Sequence, residues 1–259
     1  DTPETRLDMA GFLHSARELD RKMGQVLDAL EETGLAENTL VICTTDHGLA
    51  FPNMKCSLTD HGTGVMLIVR GPGGFSGGRV FDALVSQIDL FPTLCELLEI
   101  EPPEWLQGQS LMPLVRGETD SIRPAVFSEV NFHVAYDPQR AVRTQRWKYI
   151  ARFDGRSRPV LPNVDDGPTK SLWLENGWRD RSIDQEQLYD LLFDPNEMNN
   201  LVNDPACAAV LGELRSQLHA WMHATGDPLL QGPLVWPEGF PHLDPDQISP
   251  SEIEWKKSV

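Results

Sequence analysis

At 259 residues and a formal net charge of −17, the chain is long enough for one large domain, or for one domain with a smaller subdomain. That acidity argues against nucleic acid as a partner, because neutralising phosphates needs clustered Lys and Arg, yet a local cationic site can still hold an anion. Hydrophobic residues at 40% and charged residues at 24% are ordinary for a globular protein, and no run approaches the ~18 apolar residues of a membrane span.

The N-terminus is polar, lacks the parts of a signal peptide and does not start with Met, which fits a chain processed or cut from something longer. Over residues 7–33 the apolar positions Met9, Phe12, Leu13, Ala16, Leu19, Met23, Val26, Leu27 and Leu30 recur every three or four residues. This predicts an amphipathic helix, closed by Gly34. Residues 39–45 form a β-branched apolar run, expected to be a buried parallel strand, with Asp46-His47-Gly48 at its carboxyl end. A second buried strand is expected over 65–70, stopped by Gly71-Pro72-Gly73-Gly74. Residues 86–98 read as a helix kinked or restarted at Pro92. The order places an α/β layered domain over 1–117.

Beyond Gly117 the texture changes. Short strands are expected over 125–130, 141–144, 147–153 and 188–191, then a helix over 206–224, giving a small antiparallel α+β subdomain over 118–227. Residues 160–184 read as an excursion loop, and 228–259, with six prolines up to Pro250, as an irregular tail that wraps the surface or is partly disordered. The cysteines Cys43, Cys56, Cys95 and Cys207 have no metal-finger spacing and leave the redox compartment open.

The strongest local signal is Thr44-Thr45-Asp46-His47-Gly48. In open α/β sheets ligands gather beyond the carboxyl ends of strands. Asp46 can give a carboxylate oxygen to a hard divalent cation, His47 a nitrogen ligand or a hydrogen bond, and Gly48 a sharp turn. Taken alone the triplet is more simply a turn with a capping Asp. Lys55 follows in the loop Phe51-Pro52-Asn53-Met54 and could stabilise a charged oxygen near a metal; alone it reads as a solvated surface charge. His219 and His223 stand four apart on a helix without a third ligand and read as surface residues.

Several motifs in order carry a resemblance. The run from Leu19-Asp20-Arg21-Lys22 through Thr39-Leu40-Val41-Ile42 to Asp46-His47-Gly48, the strand ending Arg70-Gly71-Pro72-Gly73, and Ser86-Gln87-Ile88-Asp89-Leu90-Phe91-Pro92-Thr93-Leu94 come first. Leu188-Tyr189-Asp190-Leu191 with Asp194-Pro195-Asn196-Glu197 and Asn199-Asn200-Leu201 follows. Together they resemble the sulfatase family of the alkaline-phosphatase-like superfamily. The spacing from Asp46 through Phe51-Pro52 to Lys55, and Phe127-Ser128-Glu129 with Arg140-Ala141-Val142-Arg143, look most like its heparan N-sulfatase (sulfamidase) branch.

The resemblance implies the C-terminal part of an alkaline-phosphatase-like sandwich with the small α+β subdomain, and hydrolysis of a sulfate ester or N-sulfate on a sugar. It implies a calcium ion with Asp46 and His47 among its ligands, a formylglycine nucleophile, and Lys55 binding a sulfate oxygen and assisting the leaving group. His61, in a second Asp-His-Gly triplet, Glu129 and His133 become candidate substrate contacts, against the alternative of ordinary loop and turn residues. Trp173 and Trp178 could stack on a sugar, although packing is the simpler expectation. Family likeness points to a periplasmic, secreted or lysosomal setting and leaves oligomerisation open.

The chain departs from the family in having no Cys/Ser-x-Pro-x-Arg motif and no early Asp-Asp pair. The expectation is therefore that the nucleophile belongs to an N-terminal half, that the chain alone does not hydrolyse sulfate esters, and that exposed strand edges make it poorly soluble. A phosphonate monoester or phosphodiester hydrolase, and a non-catalytic pseudo-sulfatase, are the competing readings.

Overall fold

The computed structural model describes residues 1–253; the end of the tail, 254–259, lies outside the described residues. Contacts divide the chain into two units, one built from 1–13, 46–65 and 127 onward, the other from 14–45 and 66–126. This grouping cuts across the three successive stretches drawn from sequence, because the excursion 46–65 packs with the later residues.

The first helix, α1 (Pro3–Glu32), realises the three-and-four spacing, yet none of its residues is buried. In the 14–45 and 66–126 unit, β1 (Val41–Thr44) comes next. After a short helix, α2 (Asp60–Thr63), which belongs to the other unit, β2 (Leu67–Arg70) pairs with β1 antiparallel, Val41 opposite Arg70 and Thr44 opposite Leu67. The expected parallel pairing is thus corrected: the chain turns back between 45 and 66 instead of making the long crossover that parallel neighbours require. Two further helices follow, α3 (Leu90–Leu97) and α4 (Met112–Arg116), the first preceded by a 3₁₀ turn at Gln87–Asp89. Pro92 sits buried in the first turn of α3, where a missing N–H costs nothing. Phe75, Met112 and Val115 are buried together, with Leu40, Val69 and Leu97 packed against them.

A carboxylate organises this unit. Asp89 is fully buried and accepts hydrogen bonds from the Ser86 amide at 2.7 Å, the Gln109 amide at 2.9 Å and the Arg123 guanidinium at 2.6 Å. Its own carbonyl accepts from Thr93 Oγ1, which in turn accepts from the Leu111 amide at 2.8 Å.

The other unit is built on a four-stranded sheet in sequence order: β3 (Ala125–Phe132), β4 (Tyr136–Thr144), β5 (Trp147–Arg152) and, after α5 (Pro168–Glu175), β6 (Glu186–Asp190). Neighbours from β4 to β6 are antiparallel. The last helix, α6 (Ala208–Ala224), packs on β4 and β5, burying Leu211, Leu214, Leu218 and Met222. Phe127 and Trp221 stack with centroids 5.0 Å apart. Buried Arg140 is neutralised by buried Asp227, their Nη2 and Oδ1 2.9 Å apart.

One segment expected to be an excursion loop holds a helix. The 160–184 stretch contains α5 and two 3₁₀ turns, and Trp178 is buried with Leu161 and Val164, edge-on to Trp173 at 5.4 Å. The two indoles therefore pack on each other. The tail is pinned by buried Leu243, whose amide donates to the Val134 carbonyl at 2.8 Å, and by Trp236 against Phe132 at 4.5 Å.

Replacing Asp89 with Ala would leave the Arg123 guanidinium, only 10% exposed, without its counter-charge. Asp89→Ala is expected to destabilise the protein by about 3–5 kcal/mol, read from the shift in urea midpoint.

Candidate functional site

All six sequence-derived candidates fall in the sheet-bearing unit. The loop after β1 carries Asp46, His47 and Gly48. Gly48 donates its amide to the Gly62 carbonyl at 3.0 Å, and a Cβ on Gly48 would sit 1.7 Å from the His61 carbonyl oxygen. A Cβ on Gly62 would in turn sit 2.2 Å from the Ser57 oxygen and 2.4 Å from the Met54 oxygen. Glycine at both positions lets the two Asp-His-Gly turns touch backbone to backbone. The same fold-back brings the Lys55 amide to the Leu49 carbonyl at 3.0 Å.

Asp46 is exposed, 88% at the side chain, and among the described residues no Lys or Arg pairs with it. The His47 ring sets its own tautomer. Nδ1 lies 2.7 Å from the Gly48 carbonyl, which can only accept, so Nδ1 carries the proton. In the neutral ring the lone pair is then on Nε2, 3.6 Å from Asp46 Oδ2. With the ring neutral, Nε2 and the Asp46 carboxylate can serve as adjacent ligands of one cation. They are two donors, whereas calcium takes about six to eight, and no cluster of three or more His, Cys, Asp or Glu occurs among the described residues. The pair fits as part of a cation site and not as a whole one.

Lys55, 14% exposed at its side chain, is held by Asp165: Nζ donates to Oδ2 at 2.8 Å and to Oδ1 at 3.0 Å. Its neighbour Cys56 is a protonated thiol, since burial pushes its pKa up to about 11 against the opposing pull of Lys55. His133 follows β3, and its pKa is lowered, first by partial burial and then by the positive charge of Lys55, with Asp165 opposing and His47 adding. Lys55, Asp165, His133 and His47 thus share one electrostatic neighbourhood. Glu129, on β3, is engaged elsewhere, its carboxylate 3.3 Å from Arg140 Nε.

His61 lies in α2, and α2 is fastened to the sheet through Asp60. The Asp60 carboxylate accepts from Arg143 Nε at 3.1 Å and from Lys148 Nζ, while its amide donates to Glu197. Lys148 is almost fully buried, with Glu197 Oε1 3.3 Å on its other side. Burial raises the pKa of Asp60, but the Arg143 and Lys148 contacts outweigh it and leave the group below its ordinary value. Glu197 goes the other way, raised chiefly by burial.

Sequence reasoning had weighed His61 and passed over Asp60, Lys148 and Glu197, although Glu197 stands in the Asp194-Pro195-Asn196-Glu197 motif. Asp165 carried no local signal: it pairs with a lysine 110 positions away.

The chain matches the family described as Sulfatase over residues 2–100 and the one described as N-sulphoglucosamine sulphohydrolase, C-terminal, over residues 54–169. It is 32% identical to an ulvan-active sulfatase of Formosa agariphila over 87% of this chain and 40% of that protein. It is 30% identical to the N-sulphoglucosamine sulphohydrolase of Homo sapiens over 90% of this chain and 51% of that protein. The chain therefore spans about half the length of these relatives, or less. Among solved structures, a 2-O GAG sulfatase superposes with a TM-score of 0.68 at 29% identity, over 86% of this chain and 44% of that one.

Gly48→Ala is expected to force the two turns apart and to cost about 1–3 kcal/mol, measured by thermal melting. Asp60 gives a pH signature. A folded-state pKa below the unfolded value of about 3.9 contributes stability that is complete above that value and is lost as pH falls through the folded pKa. Asp60→Asn should flatten the acid limb of urea midpoints measured from neutral pH downward; an unchanged limb would show that the Arg143 and Lys148 contacts carry no such linkage.

Proposed function

This chain belongs to the sulfatase family, and on that premise we propose that it is the part of a sulfuric ester or N-sulfate hydrolase that grips the sulfate and contributes to a cation site. The observation that carries the reading is that a mostly buried Lys55 ammonium and His47, of the Asp46–His47 donor pair, belong to one unit and both act electrostatically on His133. An ammonium shielded from water interacts more strongly with an anionic oxygen than a solvated one.

Each residue then has a role. Lys55 holds a sulfate oxygen and offsets charge that grows as the bond to the sugar breaks. Asp46 and Nε2 of His47 would be two ligands of a calcium ion, whose charge when bound would favour the same anionic centre. His133, with its pKa lowered, is mainly neutral near pH 7 and can accept a hydrogen bond from, or donate one to, a sugar hydroxyl. His61 is an outer contact for the saccharide, and so is Glu129, whose carboxylate stays 52% exposed beside Arg140. The substrate class, a sulfated sugar, is suggested by relatives whose names specify ulvan, N-sulphoglucosamine and GAG.

The formylglycine nucleophile has no counterpart in these 259 residues, which contain no Cys/Ser-x-Pro-x-Arg motif. Cys56, held as a thiol, is no substitute. We therefore expect the 259-residue chain by itself to leave aryl sulfates and N-sulfoglucosamine intact. Joined to a segment that bears the nucleophile, it should cleave one of them and lose at least about a hundredfold in kcat/KM on Lys55→Ala. Turnover by the chain alone would overturn the division of labour. Preference for a phosphonate monoester in the joined protein would select that competing chemistry, and the absence of any metal-dependent turnover would select the non-catalytic reading.

A further inference from the structure

The geometry points to Asp165 as a positioning residue that keeps Lys55 occupied until an oxyanion displaces it, so that this carboxylate sets the anion affinity of the site. The inference rests on the sulfate-gripping role of Lys55 given above. Asp165 is the only carboxylate on Lys55 among the described contacts, and it engages the ammonium through both oxygens at 2.8 and 3.0 Å. The two sides are unequal: the Lys55 side chain is 14% exposed and that of Asp165 46%. The carboxylate therefore has water to turn to when it lets go, while the ammonium would be left half-desolvated without an anion.

The backbone on which Asp165 stands is fixed on both sides. Asn163, 2% exposed, accepts from the Val134 and Ala135 amides at 3.1 and 2.9 Å and donates to the Ala135 carbonyl. On the other side Lys170, also buried, donates to the Val164 carbonyl at 2.7 Å and to Asp166 at 2.9 Å, and Ser249 Oγ donates to Asp166. Among the described residues nothing comparable restrains the Asp165 side chain itself, whose hydrogen bonds are those from Lys55. The 163–166 segment is thus a rigid mount with one releasable carboxylate, and through Asn163 it also fixes the turn next to His133.

Displacement exchanges one charge-assisted pair for another, with no bond made or broken. The cation keeps a partner throughout, which avoids the penalty of a buried unpaired charge. The cost is that the incoming anion must compete with a resident one, so bare Lys55 affinity is masked.

The test uses the full chain labelled with ¹³C-lysine, the Lys55 Cε resonance being assigned with Lys55→Arg. Inorganic sulfate is the probe, with ionic strength held constant by chloride. The Lys55 resonance should move saturably with sulfate in the wild type, the half-saturating concentration should fall on the order of tenfold in Asp165→Asn, and Asp165→Glu should return it towards the wild-type value. An equal or higher midpoint in Asp165→Asn, an equal response to chloride, or no response of Lys55 in any of the three proteins would overturn the inference. Failure of the family-based reading looks different: sulfate affinity at Lys55 would rise in Asp165→Asn although the joined protein hydrolyses no sulfate.

Discussion

The buried ammonium of Lys148 lies between two carboxylates, Asp60 and Glu197, and much of the site hangs on that arrangement. Lys148 belongs to β5, the strand between β4 and β6, so the clamp is anchored in the interior of the sheet. Asp60 begins α2, and α2 carries the carbonyl and glycine that receive Gly48. A chain of direct contacts therefore runs from sheet to α2, from α2 to the Gly48 turn, and from that turn to Asp46 and His47. A buried ion pair is weak evidence for stability, because desolvation offsets much of the Coulomb gain. Here its value is positional: the Lys148–Asp60 hydrogen bond, with Arg143 on the same carboxylate, ties α2 to the sheet.

The site is thereby split into two mechanical classes. Asp46 and His47 are held by backbone, through a contact too close for any side chain to adjust. Lys55 is held by a side chain, Asp165, which can move. Such a combination suits a centre in which one part must be preorganised and another must exchange partners during binding. The opposite pKa directions within the clamp, Asp60 lowered and Glu197 raised, follow from the same geometry. Asp60 has Arg143 as a second cation and some water, whereas Glu197 has neither and is fully enclosed.

What could be read in advance followed from local physics. The three-and-four spacing of α1, the β-branched runs of β1 and β2 and the apolar stripe of α6 each report on their own immediate surroundings, and all four elements are present. The sense of the β1–β2 pairing was misjudged because direction depends on the route of the intervening chain, which composition does not encode. The α5 segment escaped notice because its eight residues start at a proline after Gly167 and show little amphipathic contrast, so turn-forming residues dominated the reading. Family likeness singled out Asp46, His47 and Lys55 as candidates, yet the partner of Lys55, Asp165, stands in the loop just before α5, where nothing local marks it. Ion pairs between residues far apart in the chain have no periodicity to betray them.

The contact between Gly48 and the His61–Gly62 backbone is made without side chains, so it is blind to side-chain chemistry and sensitive to chain length. Thirteen positions separate Gly48 from Gly62, and adding or deleting one would shift every carbonyl in the second turn out of register with the first. Apart from Asp60, which Arg143 and Lys148 hold, side chains that project from those turns are under no such restraint. This part of the protein can therefore change what it presents to a ligand by substitution while its loop lengths stay constant, and sequence drift here should appear as exchange of residues with few insertions or deletions.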